Sequence, residues 1–140
     1  MPFEAIAMNW KHIDEFEMYR WEMLALELEK IRKLINEQNK SDLGFPEIGL
    51  RITSGFRCKA WELLRNRSGL SQHTICAADF QAINCSRGQA AGILKSVYSA
   101  FDPWWSGGLA IKWPYKTGTM LMLGFVHIDM RGEKARWVYS

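Results

Sequence analysis

A chain of 140 residues, 48% of them hydrophobic and seven of them tryptophan, can bury a sizeable core as one domain (residues 1–140) and is too apolar for a disordered tail. Its formal charge is only +3, and the arginines are scattered without a basic block, which argues against a nucleic-acid partner and leaves a mild bias toward anionic polymers. Cys58, Cys76 and Cys85 cannot all pair within one chain and form no CxxC, so they fit a reducing compartment and buried packing, with Cys76 as an alternative metal ligand.

The opening residues, "MPFEAIAMNWKHIDEFEMYRWE", lack a basic start followed by an apolar core, and no run of about 18 apolar residues appears anywhere. The expectation is a chain made in the cytoplasm without a signal peptide and without membrane insertion. A long helix is predicted over 9–39. Leu24, Leu28, Ile31 and Ile35 form its apolar stripe, Leu34 widens that stripe, and Glu29 stands four before Lys33. Gly44 and Pro46 close the segment. "EIGLRITSGF" (47–56) alternates with period two and predicts a strand, with Ile48, Leu50 and Ile52 on one face. A short helix follows over 59–66, then a strand over 77–83. Ser86 is the expected N-cap of a helix reaching 101, with Ala90, Leu94, Val97 and Phe101 on its inner face. "DPWWSGG" has turn chemistry. The end of the chain predicts a hairpin: a strand at 123–129, a turn near Gly132 and a strand at 135–139. Such an irregular alternation fits an α+β domain with a largely antiparallel sheet flanked by helices.

Several polar residues sit among apolar neighbours: Arg57, Ser71, His73, Asp79, His127, Asp129 and Arg131. Two histidines and one carboxylate match the three protein ligands of a catalytic zinc, which keeps a fourth position open. Zinc there lowers the pKa of water to about 7 and polarises a carbonyl, and an arginine beside it can hold a carboxylate or an oxyanion. The bland alternatives are a satisfied loop histidine at 73, a sheet-face histidine at 127, and a surface Asp129 paired with Arg131 or Arg136. Asp129 shares a face with His127, so orienting that imidazole is a further role for it. Trp104 and Trp105, with Trp113 and Tyr115, can stack on sugar faces or pack as core and lid.

In order, "ITSGFR", "SQH", Ala77-x-Asp79 and "GFVHIDMRG…ARW" resemble the M15 peptidases, the zinc D-Ala-D-Ala peptidase family, and within it the small murein hydrolases of phage and bacteria. The resemblance covers about residues 48–138, the peptidase-like core. It implies the Hedgehog/DD-peptidase fold, a Zn2+ cofactor held by His73, Asp79 and His127, and a substrate-contacting Arg57 beside Ser71. The implied activity is hydrolysis of peptidoglycan stem peptides or cross-links, as a D,D-carboxypeptidase or an endopeptidase of endolysin type. A holin-type partner would release such a protein, or a virion would carry it. An inactive, wall-binding or virion module of the same fold is the alternative. His73 and Asp79 are six apart where the family has seven, and Ile75 stands where it has glycine; the loop between His73 and Ala77 is expected to absorb the difference. Gly124 stands where many members place an acid or a histidine, which leaves Asp129 either to move a proton or to orient His127.

Overall fold

The computed structural model describes residues 15–57 and 59–140. The expected long helix is α1 (Glu15–Gln38); residues 9–14 lie outside the described residues, as does Cys58. Leu24, Ile31 and Ile35 are buried and Leu28 is partly covered, so the stripe read from the spacing is the one that packs. Leu34 does not widen it. Each helical step turns about 100°, and that step carries Leu34 into solvent. Glu29 takes Arg32 as its partner, at 2.9 Å, three residues on instead of four.

The strands are β1 (Gly49–Ser54), β2 (Ala77–Ile83), β3 (Gly108–Lys112), β4 (Tyr115–Thr117), β5 (Met120–Met122), β6 (Phe125–Asp129) and β7 (Ala135–Tyr139). Five of them form one sheet in the order β1-β2-β6-β3-β7, while β4 and β5 pair as a separate two-stranded sheet. Pairings β1–β2, β2–β6 and β6–β3 are antiparallel, and β3–β7 is parallel. The domain is α+β with a mixed sheet. The expected C-terminal hairpin does not form. β3 lies between β6 and β7, because Leu109, Ala110 and Ile111 are apolar toward both faces and take the interior slot, with all three buried. The turn-rich stretch after residue 101 therefore leads into an interior strand.

Two further helices complete the described residues. α2 (Lys59–Leu64) is the short helix expected over 59–66. α3 (Arg87–Phe101) starts where predicted, with Ser86 Oγ accepting the Gln89 N–H at 3.1 Å. It buries Ala90, Leu94, Val97 and Phe101 and packs across β2, β3 and β6. Among the described residues, no helix is long and apolar enough to cross a membrane.

Alternation along the strands sorts the two faces of the sheet. Ala78, Phe80, Leu109, Ile111, Val126 and Ile128 face the helices and form the core. Burial of each large apolar side chain there stabilises by about 1.5–3 kcal/mol relative to exposure. The opposite parity places Asp79, His127, Ala110 and Trp137 on the other face. Register puts them in one row across the strands: Ser54 opposite Asp79, Asp79 opposite His127, His127 opposite Ala110, and Ala110 opposite Trp137.

Candidate metal centre

His73 comes from outside the sheet. It lies in a 3-10 turn, Gln72–Thr74, which starts with Ser71 Oγ accepting the His73 N–H at 3.2 Å. Two bonds tie this turn to the chain after β1: Arg57 N–H donates to His73 O at 2.9 Å, and His73 Nδ1–H donates to Gly55 O at 2.8 Å. The carbonyl can only accept, so the second bond fixes the proton on Nδ1 and leaves Nε2 as the ligating nitrogen. That nitrogen lies 3.3 Å from Asp79 Oδ1. The turn leads from His73 toward β2. Ile75 closes it at φ −112° and needs no glycine, and β2 keeps its phase, with Asp79 opposite His127.

His127 is buried and lies with both ring nitrogens on carboxylates. Nδ1 is 2.7 Å from Asp79 Oδ1, and Nε2 is 2.8 Å from Asp129 Oδ2. Burial disfavours the imidazolium, but the bonds to Asp129 and Asp79 outweigh it and raise the His127 pKa. Burial also pushes Asp79 up, and its two histidine partners more than offset that, so its pKa is lowered.

One ligand atom each from His73, Asp79 and His127 lie within 4.8 Å of one another, so the group can hold a metal ion. Atoms about 2.0–2.1 Å from a tetrahedral zinc lie roughly 3.3 Å apart. The 3.3 Å separation of His73 Nε2 from Asp79 Oδ1 equals that spacing, His127 Nδ1 lies nearer at the hydrogen-bond distance of 2.7 Å, and the two rings meet edge to face at 5.2 Å. The nitrogens turned toward Asp79 differ: Nε2 of His73 and Nδ1 of His127. The outer nitrogen of each ring is occupied by a separate acceptor, which is the usual support of a metal-binding imidazole.

Asp129 lies behind His127, on the side away from Asp79, and is fully buried. Oδ1 accepts from Gly108 N, Arg131 N and Arg131 Nε, and Oδ2 bonds His127 Nε2 and Arg131 Nη2. Burial pushes its pKa up, yet the bonds from His127 and Arg131 hold it far below the usual carboxylate range. Of its two expected roles the geometry matches orientation of the imidazole. Its arginine partner is Arg131; Arg136 instead reaches Asp102. At position 124 a side chain has no room: Gly124 has φ +67°, and a Cβ there would lie 2.0 Å from Lys112 O.

The group opens on a cleft of about 540 Å³ lined by Arg57, Arg67, Ser71, Arg131, Trp137 and Tyr139, among others. Arg57 donates to Glu62 at 2.7 Å, Ser54 Oγ at 2.9 Å and Ser71 Oγ at 3.2 Å. The structure thus brings Arg57, Ser71, His73, Asp79 and His127 together, with Asp129 behind. It does not bring Trp104 or Trp105 to this cleft. Trp105 is buried and donates to the carbonyls of Gly108 and Asp129, and Trp104 stacks on Phe101 at 4.5 Å. The cleft's aromatic wall is Phe125, Trp137 and Tyr139. Strand alternation over 135–139 already pairs Trp137 with Tyr139 on one face, but only the sheet order shows that this face is the site. Cys76 faces the helices, with its thiol on Arg20 O, and stands apart from the ligand group. The chain matches no protein-family model, no curated protein and no solved structure.

Proposed function

We propose that the chain is a zinc-dependent peptidase of bacterial peptidoglycan, related to the M15 peptidases and their Hedgehog/DD-peptidase fold. One observation carries this reading: His73 Nε2, His127 Nδ1 and Asp79 converge in an open cleft while Gly55 O and Asp129 fix the outer nitrogens. Two imidazoles and one carboxylate suit zinc with a position left for substrate, and zinc supplies Lewis-acid polarisation of a scissile carbonyl. The chain's own groups do the positioning. Asp129 keeps the Nε2 proton of His127 engaged and so keeps the Nδ1 lone pair turned inward. Arg57 uses three of its five N–H groups on Glu62, Ser54 and Ser71, which holds its fork rigid at the cleft wall to grip a substrate oxygen. The aromatic wall offers faces on which a sugar or peptide plane can lie. The substrate would be a stem peptide or cross-link, reached after release through a holin-type partner or by delivery in a virion.

A second reading is a non-hydrolytic wall-binding or virion module of the same architecture. It is favoured by the absence of a free carboxylate: Asp79 is the only acid among the described cleft-lining residues, and Gly124 has no room for a side chain. Purified sacculi separate the two. The peptidase reading expects zinc-dependent release of soluble peptides, abolished in His73→Ala and His127→Ala. Binding to sacculi without release, by folded zinc-loaded protein, would establish the module instead.

A further inference from the structure

The two-stranded sheet of β4 and β5 stands apart from the main sheet, and the metal group does not use it. It is a hairpin inserted between β3 and β6. Gly118 opens its turn at φ +59°, the left-handed backbone that a two-residue hairpin loop requires there. Tyr115 pairs with Met122 and Thr117 with Met120, so these four share one face, while Lys116 and Leu121 share the other. The base is held from several sides. Arg87 Nε of α3 donates to Leu121 O at 2.8 Å, Leu123 packs on the core, and Trp113 meets Tyr98 of α3 edge to face at 5.5 Å. The tip is open to solvent: Thr117, Gly118, Thr119 and Met120 are all exposed.

Two observations say what such a hairpin meets. The first is what it exposes. Trp113, Tyr115 and Met120 are exposed by 39%, 45% and 60%, and large apolar side chains grouped on one protruding element read as an interaction site. The second is charge. The sequence has no aspartate or glutamate from residue 103 to residue 128, and Lys112 and Lys116 lie within that span. Lys112 Nζ stands 5.6 Å from the centre of the Tyr115 ring, so the cation and the aromatic face form one unit. Lys116 is exposed on the opposite face of the hairpin. An apolar tip, aromatic rings behind it, lysines beside the rings and no acid match the layers of a lipid interface. The acyl boundary takes a flexible apolar side chain, the headgroup layer takes tryptophan and tyrosine, and lysine reaches anionic phosphates. A saccharide would use the rings but gives no reason for an apolar methionine at the tip.

We infer that the β4–β5 hairpin docks on anionic lipid surfaces, with Met120 entering the interface and Lys112 and Lys116 contacting headgroups. The contact is peripheral; among the described residues no helix is long and apolar enough to cross a membrane. The inference does not rest on the peptidase reading. In the main sheet Lys112 lies between Phe125 and Tyr139, which belong to the cleft wall. A docked hairpin therefore sets the cleft beside the lipid surface.

The test is co-sedimentation of the full chain with vesicles of equal parts phosphatidylglycerol and phosphatidylcholine, beside vesicles of phosphatidylcholine alone. Binding to the anionic vesicles should be at least about tenfold tighter and should weaken as salt is added. Lys116→Gln should weaken it about fivefold, the effect of one basic residue near such a surface. Met120→Lys separates insertion from attraction. It adds a positive charge but removes the apolar tip, so it should weaken binding at least about tenfold; tighter binding would mean that charge alone holds the protein and would overturn the docking role of the tip. Both positions are exposed, so circular dichroism and thermal unfolding should match the wild type. Equal binding to the two vesicle types, unchanged binding in both variants, or no sedimentation at millimolar lipid would each overturn the inference. So would variants that keep their vesicle binding but lose binding to purified, lipid-free glycan strands, since the hairpin would then be a saccharide platform.

Discussion

Asp129 has no exposed surface and accepts hydrogen bonds from three residues, so its removal should be felt at the metal group and not only in the core. Asp129→Asn preserves the shape but loses the charge that holds the His127 Nε2–H. Zinc affinity should drop about 10–100-fold, measured by competition with a chromogenic chelator. The same histidine makes zinc binding depend on pH. The folded-state pKa of His127 is raised, so in metal-free protein its stabilising contribution is fully present below its unfolded value and is lost as pH rises through the folded value. Asp79 and Asp129 are lowered, so their contribution is present above the ordinary carboxylate value and is lost as pH falls through their folded values. Zinc needs the imidazole unprotonated. The rise in Tm on adding zinc should therefore be small near about pH 5.5 and grow toward about pH 8, as read by thermal unfolding with and without metal. Cys76 offers an independent check on burial: desolvation pushes its thiol up to about 12, so it should resist iodoacetamide until the chain unfolds.

The strands separate what periodicity reveals from what pairing decides. The α1 stripe, the Ser86 cap with its helix, and β2 were all legible, because each is written in local spacing or a capping residue. β3 was not. "SGG" followed by "LAIK" reads as a turn running into a short apolar stretch, and periodicity cannot tell such a run from loop packing. The second glycine has another purpose: a Cβ on Gly108 would lie 2.1 Å from Asp129 Oδ2, so the strand is pared down to admit the carboxylate. Sequence neighbours usually pair, which made β6 and β7 look like a hairpin, but a parallel partner for β7 follows only once β3 occupies the interior slot. The three residues that come together and could hold a metal, His73, Asp79 and His127, were legible from residue types, order and resemblance. Arg67 and the Trp137–Tyr139 wall were not, since they reach the cleft only through the helix stop and the sheet order. Gly108→Ala should displace Asp129 and lower zinc affinity at least as much as Asp129→Asn does, with α3 still helical by circular dichroism.

At the scale of the molecule, the sheet divides two tasks. One face packs on α1 and α3 and sets stability; Phe80→Ala there should cost about 3–5 kcal/mol in chemical denaturation. The other face carries a polar row whose members come from β2 and β6, completed by a turn bonded to the chain after β1. Segments distant in sequence thus meet at one point, and neither face needs the other's residues for its own purpose. The most direct test of the central claim is zinc titration by isothermal calorimetry into chelator-treated protein, wild type beside His73→Ala, Asp79→Ala and His127→Ala. The account predicts about one zinc per wild-type chain, with affinity reduced by at least about a hundredfold in each variant and the fold retained. Failure of the folded wild type to bind zinc, or equal binding by the three variants, would contradict it.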